Sequence, residues 1–307
     1  MNTAVPADLD GERADLIVAR VAGVSRAVAK QMLQSGAALA GGEAVAPRQR
    51  LAAGTALELE IPEPEPLIAP EPVAFDVRYE DDHVAVVEKP AGMVVHPGAG
   101  RRTGTLAAGV LHRWPRVEGV GDDGRWGIVH RLDRDTSGLL LVALDAASHA
   151  GLREALRRRE VTRRYLTLVH GTDVPPTGTI DAPLGRDPRH PTRFRVDRSG
   201  RAARTHYRVL AVWERAGLSL LEVRLETGRT HQIRVHLASI GHPVGGDPAY
   251  GRGGDGLPRT WLHAAELGFR HPETGEDLAV VSPLPGDLME VLDGLGPPDR
   301  GAVSAGS

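Results

Sequence analysis

Between residues 62 and 72 proline recurs five times, with glutamate interspersed: Pro62-Glu63-Pro64-Glu65-Pro66-Leu67-Ile68-Ala69-Pro70-Glu71-Pro72. Each proline fixes φ and removes an amide donor, so this stretch can be neither helix interior nor central strand. It reads as a stiff, extended linker that divides the 307 residues into a small and a large part. The expected organisation is an N-terminal domain at 1–62, a linker at 63–72, a main domain at 73–297 and a flexible tail, rich in Gly, Pro and Ser, at 298–307.

The N-terminal part reads as two helices and a few short strands. One helix runs from about Arg13 to Ala22. The next covers Arg26 to Ser35, with Ser25 as N-cap and Gly36 as C-cap. A Gly41-Gly42 turn follows, and Leu57 to Ile61 alternates like a strand. Beyond the linker, Phe75 to Tyr79, Val84 to Val87, Ile128 to Val129, Leu139 to Ala143, Arg164 to Val169, His206 to Trp213 and Leu218 to Leu225 are strand-like. Helices are expected at Leu106 to His112 (capped by Thr105), Ser148 to Glu160, and His231 to Ile240 (capped by Thr230, ended by Gly241). With no regular βαβ repeat, the class is α+β with a mainly antiparallel, mixed sheet.

The richest chemistry lies in Gly127-Ile128-Val129-His130-Arg131-Leu132-Asp133-Arg134-Asp135-Thr136-Ser137-Gly138. Two apolar runs, Ile128-Val129 and Leu139 to Ala143, flank a charged turn, which pushes Asp133 to the edge of a sheet. Arg131 and Arg134 stand beside it, a setting that suits an ionised nucleophile or base. By itself the turn reads first as a salt-bridged β-turn with an Asx or Ser/Thr cap.

The string resembles the His-Arg-Leu-Asp-x-x-Thr-Ser-Gly signature of the RluA-type RNA pseudouridine synthases. Three further segments carry the same resemblance in the same order. Residues 88–97, Glu-Lys-Pro-Ala-Gly-Met-Val-Val-His-Pro, resemble the family's first motif. Residues 163–171, Arg-Arg-Tyr-Leu-Thr-Leu-Val-His-Gly, are similar to the segment with the active-site Tyr. Residues 225–237, Leu-Glu-Thr-Gly-Arg-Thr-His-Gln-Ile-Arg-Val-His-Leu, resemble its third motif. The resemblance covers roughly residues 74 to 290. The N-terminal part resembles, more loosely, the S4-type RNA-binding domain that often precedes such synthases, giving a small α/β module ahead of the catalytic domain and an RluD-like layout.

The resemblance implies that Asp133 is the catalytic carboxylate, that Tyr165 stacks on the target uracil, and that Arg234 pairs with Asp133. It also makes Arg131 a tool for turning the base out of its stack. Arg186, Arg189 and Arg193, in the loop from Gly185 to Arg195, become RNA-grasping cations; Arg229, next to Gly228, reads as a backbone or phosphate contact. Arg26 and Lys30 become contacts on the capped N-terminal helix. From the residues alone, Tyr165 reads first as core packing, and Arg234 equally as a surface or phosphate contact.

Composition is compatible with this reading. Hydrophobic residues make up 41% and charged residues 25%, no run approaches the ~20 apolar residues of a membrane span, and no secretory signal is visible. With no Cys there is no disulfide or thiolate metal site. The net charge is −3, but Arg186 to Arg234 contains twelve Arg against five Asp or Glu. A basic face on an acidic protein is compatible with RNA. The segment Met1 to Pro70, with six Arg or Lys against nine Asp or Glu, is acidic. His231 and His236 are five apart, off the i, i+4 spacing of a helical metal pair. The expectation is a cytoplasmic, monomeric isomerase that needs no metal or cofactor and converts uridine to pseudouridine in large-subunit (23S) ribosomal RNA. The alternative is a catalytically inactive RNA-binding protein of the same fold. The joint presence of Asp133, Tyr165 and Arg234 favours the enzyme.

Overall fold

The structure, a computed structural model, describes residues 1–24, 26–61, 68–98, 102–121, 125–251 and 256–303. The expected Ser25 cap, linker residues 62–67 and tail residues 304–307 lie outside the described residues. The chain forms two compact units, Met1–Leu67 and Ile68–Ser307.

In the first unit, β1 (Asn2–Ala4), β2 (Ala38–Ala40), β3 (Glu43–Ala44) and β4 (Ala56–Leu59) pair antiparallel in the order β1-β4-β2-β3. Helices α1 (Ala14–Ala22) and α2 (Arg26–Ser35) turn Ile17, Val18, Ala29, Met32 and Leu33 inward onto Leu57 and Leu59.

The second unit is built on a ten-stranded sheet. Its elements are β5 (Asp76–Glu80), β6 (Val84–Lys89), α3 (Leu106–Arg113), β7 (Ser137–Ala143), α4 (Ala146–Arg158), β8 (Thr162–His170) and β9 (Thr177–Asp181). Then come the hairpin β10 (Leu184–Arg186) and β11 (Phe194–Val196), β12 (Arg204–Trp213), β13 (Leu218–Leu225), α5 (Gln232–Ser239), β14 (Leu262–Arg270), β15 (Asp277–Val281), α6 (Gly286–Leu295) and β16 (Arg300–Gly301). The strand order is β16-β12-β13-β8-β14-β7-β6-β5, with β15 on β14 and β9 on β12; β10 and β11 pair only with each other. Pairing is antiparallel except between β7 and β14, so the α+β class holds.

All seven residues of β7 are buried, because both faces of the sheet are covered. Leu140 and Val142 face one core with α3 and α5, while Leu139 and Leu141 face another with α4. Burying one such leucine contributes roughly 2 kcal/mol. Tyr165 joins the first core, and its neighbour Leu166 faces the α6 side, as strand alternation requires.

Four expectations need correction. Ile128 makes a single bridge to Val142 and starts no strand. Helix α4 begins at Ala146, not Ser148, because the Asp145 carboxylate accepts the Ser148 N–H at 2.8 Å and is the cap. Helix α5 is not capped by Thr230. Its N-cap residue is His231, in a left-handed conformation, and Gln232 Oε1 instead accepts the Arg229 N–H and the Thr227 hydroxyl. The sheet also continues past residue 297, since Arg300 and Gly301 pair with Val212 and Ala211.

Candidate active site

Asp133 sits in the turn that leads into β7, and its geometry is set mostly by backbone carbonyls. Thr136 N–H donates to Asp133 O, closing the turn at 3.2 Å. The Arg134 carbonyl accepts from the Gly92 N–H at 2.9 Å and from Lys89 Nζ at 3.0 Å. The Asp135 carbonyl accepts from Arg259 Nη1 at 3.1 Å. Arg134 pairs with Asp135 through two bonds of 2.9 Å. Of the two neighbouring arginines expected to flank Asp133, one is therefore engaged elsewhere.

Glycine is required at two ends of this segment. Gly127 (φ +75°) would bring a Cβ within 2.0 Å of the Ala143 carbonyl, and Gly138 (φ +112°) within 2.3 Å of the Ala264 carbonyl. His130 ties the segment to the sheet by accepting the Leu141 N–H at Nε2, 3.0 Å. Burial pushes its imidazole down to about 3, so it is a neutral acceptor.

Lys89, at the end of β6, is fully buried. Its ammonium donates to the carbonyls of Pro90, Met93 and Arg134 at 2.8, 2.9 and 3.0 Å, one acceptor for each proton. Burial pulls it down to about 7, against the opposing pull of Asp133 and Asp135.

Arg234, on the first turn of α5, reaches the carboxylate from the other side. Nη1 donates to Asp133 Oδ2 at 3.0 Å. Nε and Nη2 form a fork with Asp247 at 2.7 and 2.8 Å. Asp247 is 2% exposed. Its carboxylate also accepts the N–H groups of Ala249 and Tyr250. Burial raises the Asp247 carboxyl, but Arg234 and those two amides more than reverse this, leaving it below the usual carboxylate range. The guanidinium lies 5.1 Å from the centre of the Tyr250 ring. One guanidinium is thus held by a buried acid and points its remaining arm at an accessible one: the Asp133 side chain is 17% exposed.

Tyr165 reaches this region through the sheet. Gly138, Ala264 and Tyr165 form one lateral row across β7, β14 and β8, continued on the other side of Tyr165 by Val223 of β13, so on the side towards β7 the Tyr ring meets only a methyl and then a hydrogen. Tyr165 is 5% exposed, and burial, with a contribution from Asp133, raises its phenol above the ordinary value despite Arg163 nearby.

The expected nucleic-acid contacts fall into three groups. Arg186, Arg189 and Arg193 lie on the β10–β11 hairpin and its turn, with Arg186 donating to the Pro191 carbonyl and stacking on Phe194. Arg131 is exposed. Among the described residues Arg131, Arg189, Arg193, Arg198 and Arg201 form no ion pair, whereas Arg195, Arg204, Arg208 and Arg224 are paired with Asp197, Asp181, Glu222 and Glu222. Arg229 is drawn to the Ala202 carbonyl at 3.0 Å. Arg26 and Lys30 belong to the first unit, where Arg26 is ion-paired with buried Asp15 and Lys30 is exposed. The structure therefore brings Asp133 and Arg234 together, with Tyr165 close by in the same core.

Sequence reasoning passed over Lys89 as part of the site, and also Asp247, His231 and Tyr250. A lone Lys ending a buried apolar strand was a usable signal; the stretch around Asp247 offers none.

Among the described residues no group of three or more His, Asp or Glu could hold a metal, and no helix is long and apolar enough to cross a membrane.

A family profile described as RNA pseudouridylate synthase matches residues 83–239, which includes Asp133, Tyr165 and Arg234. The chain is 44% identical over 273 residues to the uncharacterized RNA pseudouridine synthase YlyB of Bacillus subtilis, covering 88% of this chain and 89% of that one. It is 41% identical over 307 residues to ribosomal large subunit pseudouridine synthase D of Xanthomonas campestris pv. campestris, covering 95% and 91%. A solved structure, human RNA Pseudouridylate Synthase Domain Containing 1, aligns with a TM-score of 0.55 at 27% identity, over 75% of this chain and 98% of that one. The chain belongs to the RNA pseudouridylate synthase family. It is an RNA-modifying isomerase.

Proposed function

We propose that this protein converts specific uridines of large-subunit ribosomal RNA to pseudouridine, with Asp133 as nucleophile. The reaction breaks the N1–C1′ bond and joins C1′ to C5. C5 gives up its proton, N1 gains one, and no electrons are exchanged. A carboxylate can carry the detached fragment between the two bonds, as in other glycosyl chemistry. The observation that carries this reading is the Arg234–Asp133 contact of 3.0 Å at a partly exposed carboxylate. A guanidinium there holds one oxygen and leaves the other to the reaction. The large-subunit target is supported by relatives at 40–47% identity that are named ribosomal large subunit pseudouridine synthase D.

Tyr165 supplies the face against which the uracil stacks and a hydroxyl for moving the C5 proton. Arg131, with Arg186, Arg189, Arg193 and Arg229, contacts the RNA around the extruded base. The first unit acts as an S4-type RNA-binding module through Arg26 and Lys30.

The test is Asp133→Asn. Purified variant is expected to form no pseudouridine in single-turnover assays while keeping RNA affinity within about threefold. Turnover near wild type would remove Asp133 from the mechanism. Mapping pseudouridine in ribosomal RNA from cells with and without the gene tests the target; unchanged large-subunit RNA would overturn it.

A further inference from the structure

His231 occupies an unusual place for an ordinary N-cap residue. Its backbone is left-handed (φ +57°, ψ +20°), a conformation that a residue carrying a β-carbon rarely adopts. The strained backbone aims the imidazole between Phe194 and Tyr250, edge-on to both rings, at centroid distances of 5.8 and 5.6 Å. Nδ1 lies 2.8 Å from the Tyr250 hydroxyl. That hydroxyl already accepts the Phe194 N–H, also at 2.8 Å. The hydroxyl's own proton is free to go to Nδ1, and in that arrangement Nδ1 accepts and the ring proton resides on Nε2.

Nε2 in turn faces Asp133 Oδ2 from 4.0 Å. This is beyond hydrogen-bond reach, and the oxygen is already met by Arg234 Nη1. Among the described residues Nε2 has no other partner, and the side chain is 20% exposed. A polarised N–H therefore points into the accessible space beside the carboxylate and is consumed by nothing. Burial holds the imidazole below its ordinary value, so it is not a competing cation.

We propose that His231 donates its Nε2–H to an oxygen of the nucleotide bound against Asp133, and that Tyr250 is the positioning residue that fixes the required tautomer. The acceptor class is a uracil carbonyl or ribose hydroxyl oxygen. The inference rests on Asp133 being the reacting carboxylate. It also links the β10–β11 hairpin to the site, because Phe194 at the start of β11 orients Tyr250.

Full-length protein labelled with 15N-histidine gives the first readout. His231 is expected to show an unprotonated Nδ1 and a protonated Nε2, and Tyr250→Phe to mix the tautomers. The second readout is the single-turnover rate at saturating RNA together with the RNA Kd. Gln places an amide near Nε2 and Asn near Nδ1, so the two separate the roles of the ring nitrogens. His231→Ala and His231→Asn are expected to slow the reaction about 100-fold, and His231→Gln only about tenfold, with each Kd within about threefold of wild type. A spectrum with the proton on Nδ1, an Ala variant within twofold of the wild-type rate, or a Gln variant no faster than Ala would overturn the proposal. If Asp133→Asn remains active while these variants are slow, the parent reading fails. An active wild type with an unaffected Ala variant rejects the His231 role alone.

Discussion

Nη1 of Arg234 stands 3.0 Å from Oδ2 of Asp133, a residue 101 positions away in the chain. The same guanidinium is anchored by a fork to Asp247, which is almost completely buried. Asp247 is thus the anchor, and Asp133 receives the arm that is left.

This division of labour predicts unequal effects. Arg234→Ala strands a buried carboxylate at Asp247 and is expected to cost roughly 3–5 kcal/mol of stability. It also removes the orientation of Asp133. Arg234→Lys keeps a charge but cannot span both acids, so it should recover little activity. Urea unfolding and single-turnover rates check both; a stability loss for Arg234→Ala below about 1 kcal/mol would contradict the anchor role.

Tyr165→Phe retains the ring and removes the hydroxyl. The chemical step is expected to slow by about 100-fold or more while the RNA Kd moves less than about threefold. Equal losses in rate and affinity would point to a packing role.

Lys89→Met takes the ammonium away from three carbonyls, of which only that of Arg134 keeps another donor, the Gly92 N–H. The expected cost is roughly 3 kcal/mol, and the loosened Asp133 turn should slow turnover as well. The pH dependence has a definite sign. Burial places the Lys89 ammonium at about 7, below its ordinary value of 10.5. Between these two values the unfolded chain binds more protons than the folded one. The wild type therefore gains stability relative to Lys89→Met as pH rises through this window. The penalty is full below about pH 7 and absent above about 10.5. Unfolding midpoints of both proteins from pH 7 to 10 measure it, and parallel curves would show that Lys89 does not titrate there.

Removal of Met1 to Pro66 takes away one compact unit and leaves the core of the other whole. The remaining chain is expected to fold and to bind structured ribosomal RNA more weakly, with a largely retained salt slope. The excised piece is acidic, nine Asp or Glu against six Arg or Lys. Arg131, Arg189, Arg193, Arg198 and Arg201, which form no ion pair among the described residues, remain. Binding isotherms across salt concentration test this; a slope that almost vanishes on truncation would move the electrostatic footprint to the N-terminal unit.

The four motifs made the family legible from the sequence, because four such strings in the same chain order are far more specific than any one of them. The unbroken apolar run of β7 also disclosed a buried strand, and alternation along β8 that Tyr165 and Leu166 face opposite ways. Local readings erred where a nearby polar group took over a helix start: Asp145 caps α4 and sets its start before Ser148, and Gln232, not Thr230, receives the hydrogen bonds at the start of α5. The charge count from Arg186 to Arg234 overstated the free basic surface: Arg195 and Arg224 are neutralised by carboxylates two positions away, and Arg204 and Arg208 by carboxylates that the sheet register brings beside them.

What the sequence disclosed by itself was the family, the charged Asp133 turn and the buried strand β7 that follows it. The tertiary structure decided what holds that residue. Lys89, Arg234, Asp247 and His231 reach the Asp133 turn from β6, α5 and the segment after α5. Contacts between groups so far apart in the chain leave no local periodicity. They exist because a buried charge or carbonyl must find a partner, and only the closed fold determines which partners are within reach.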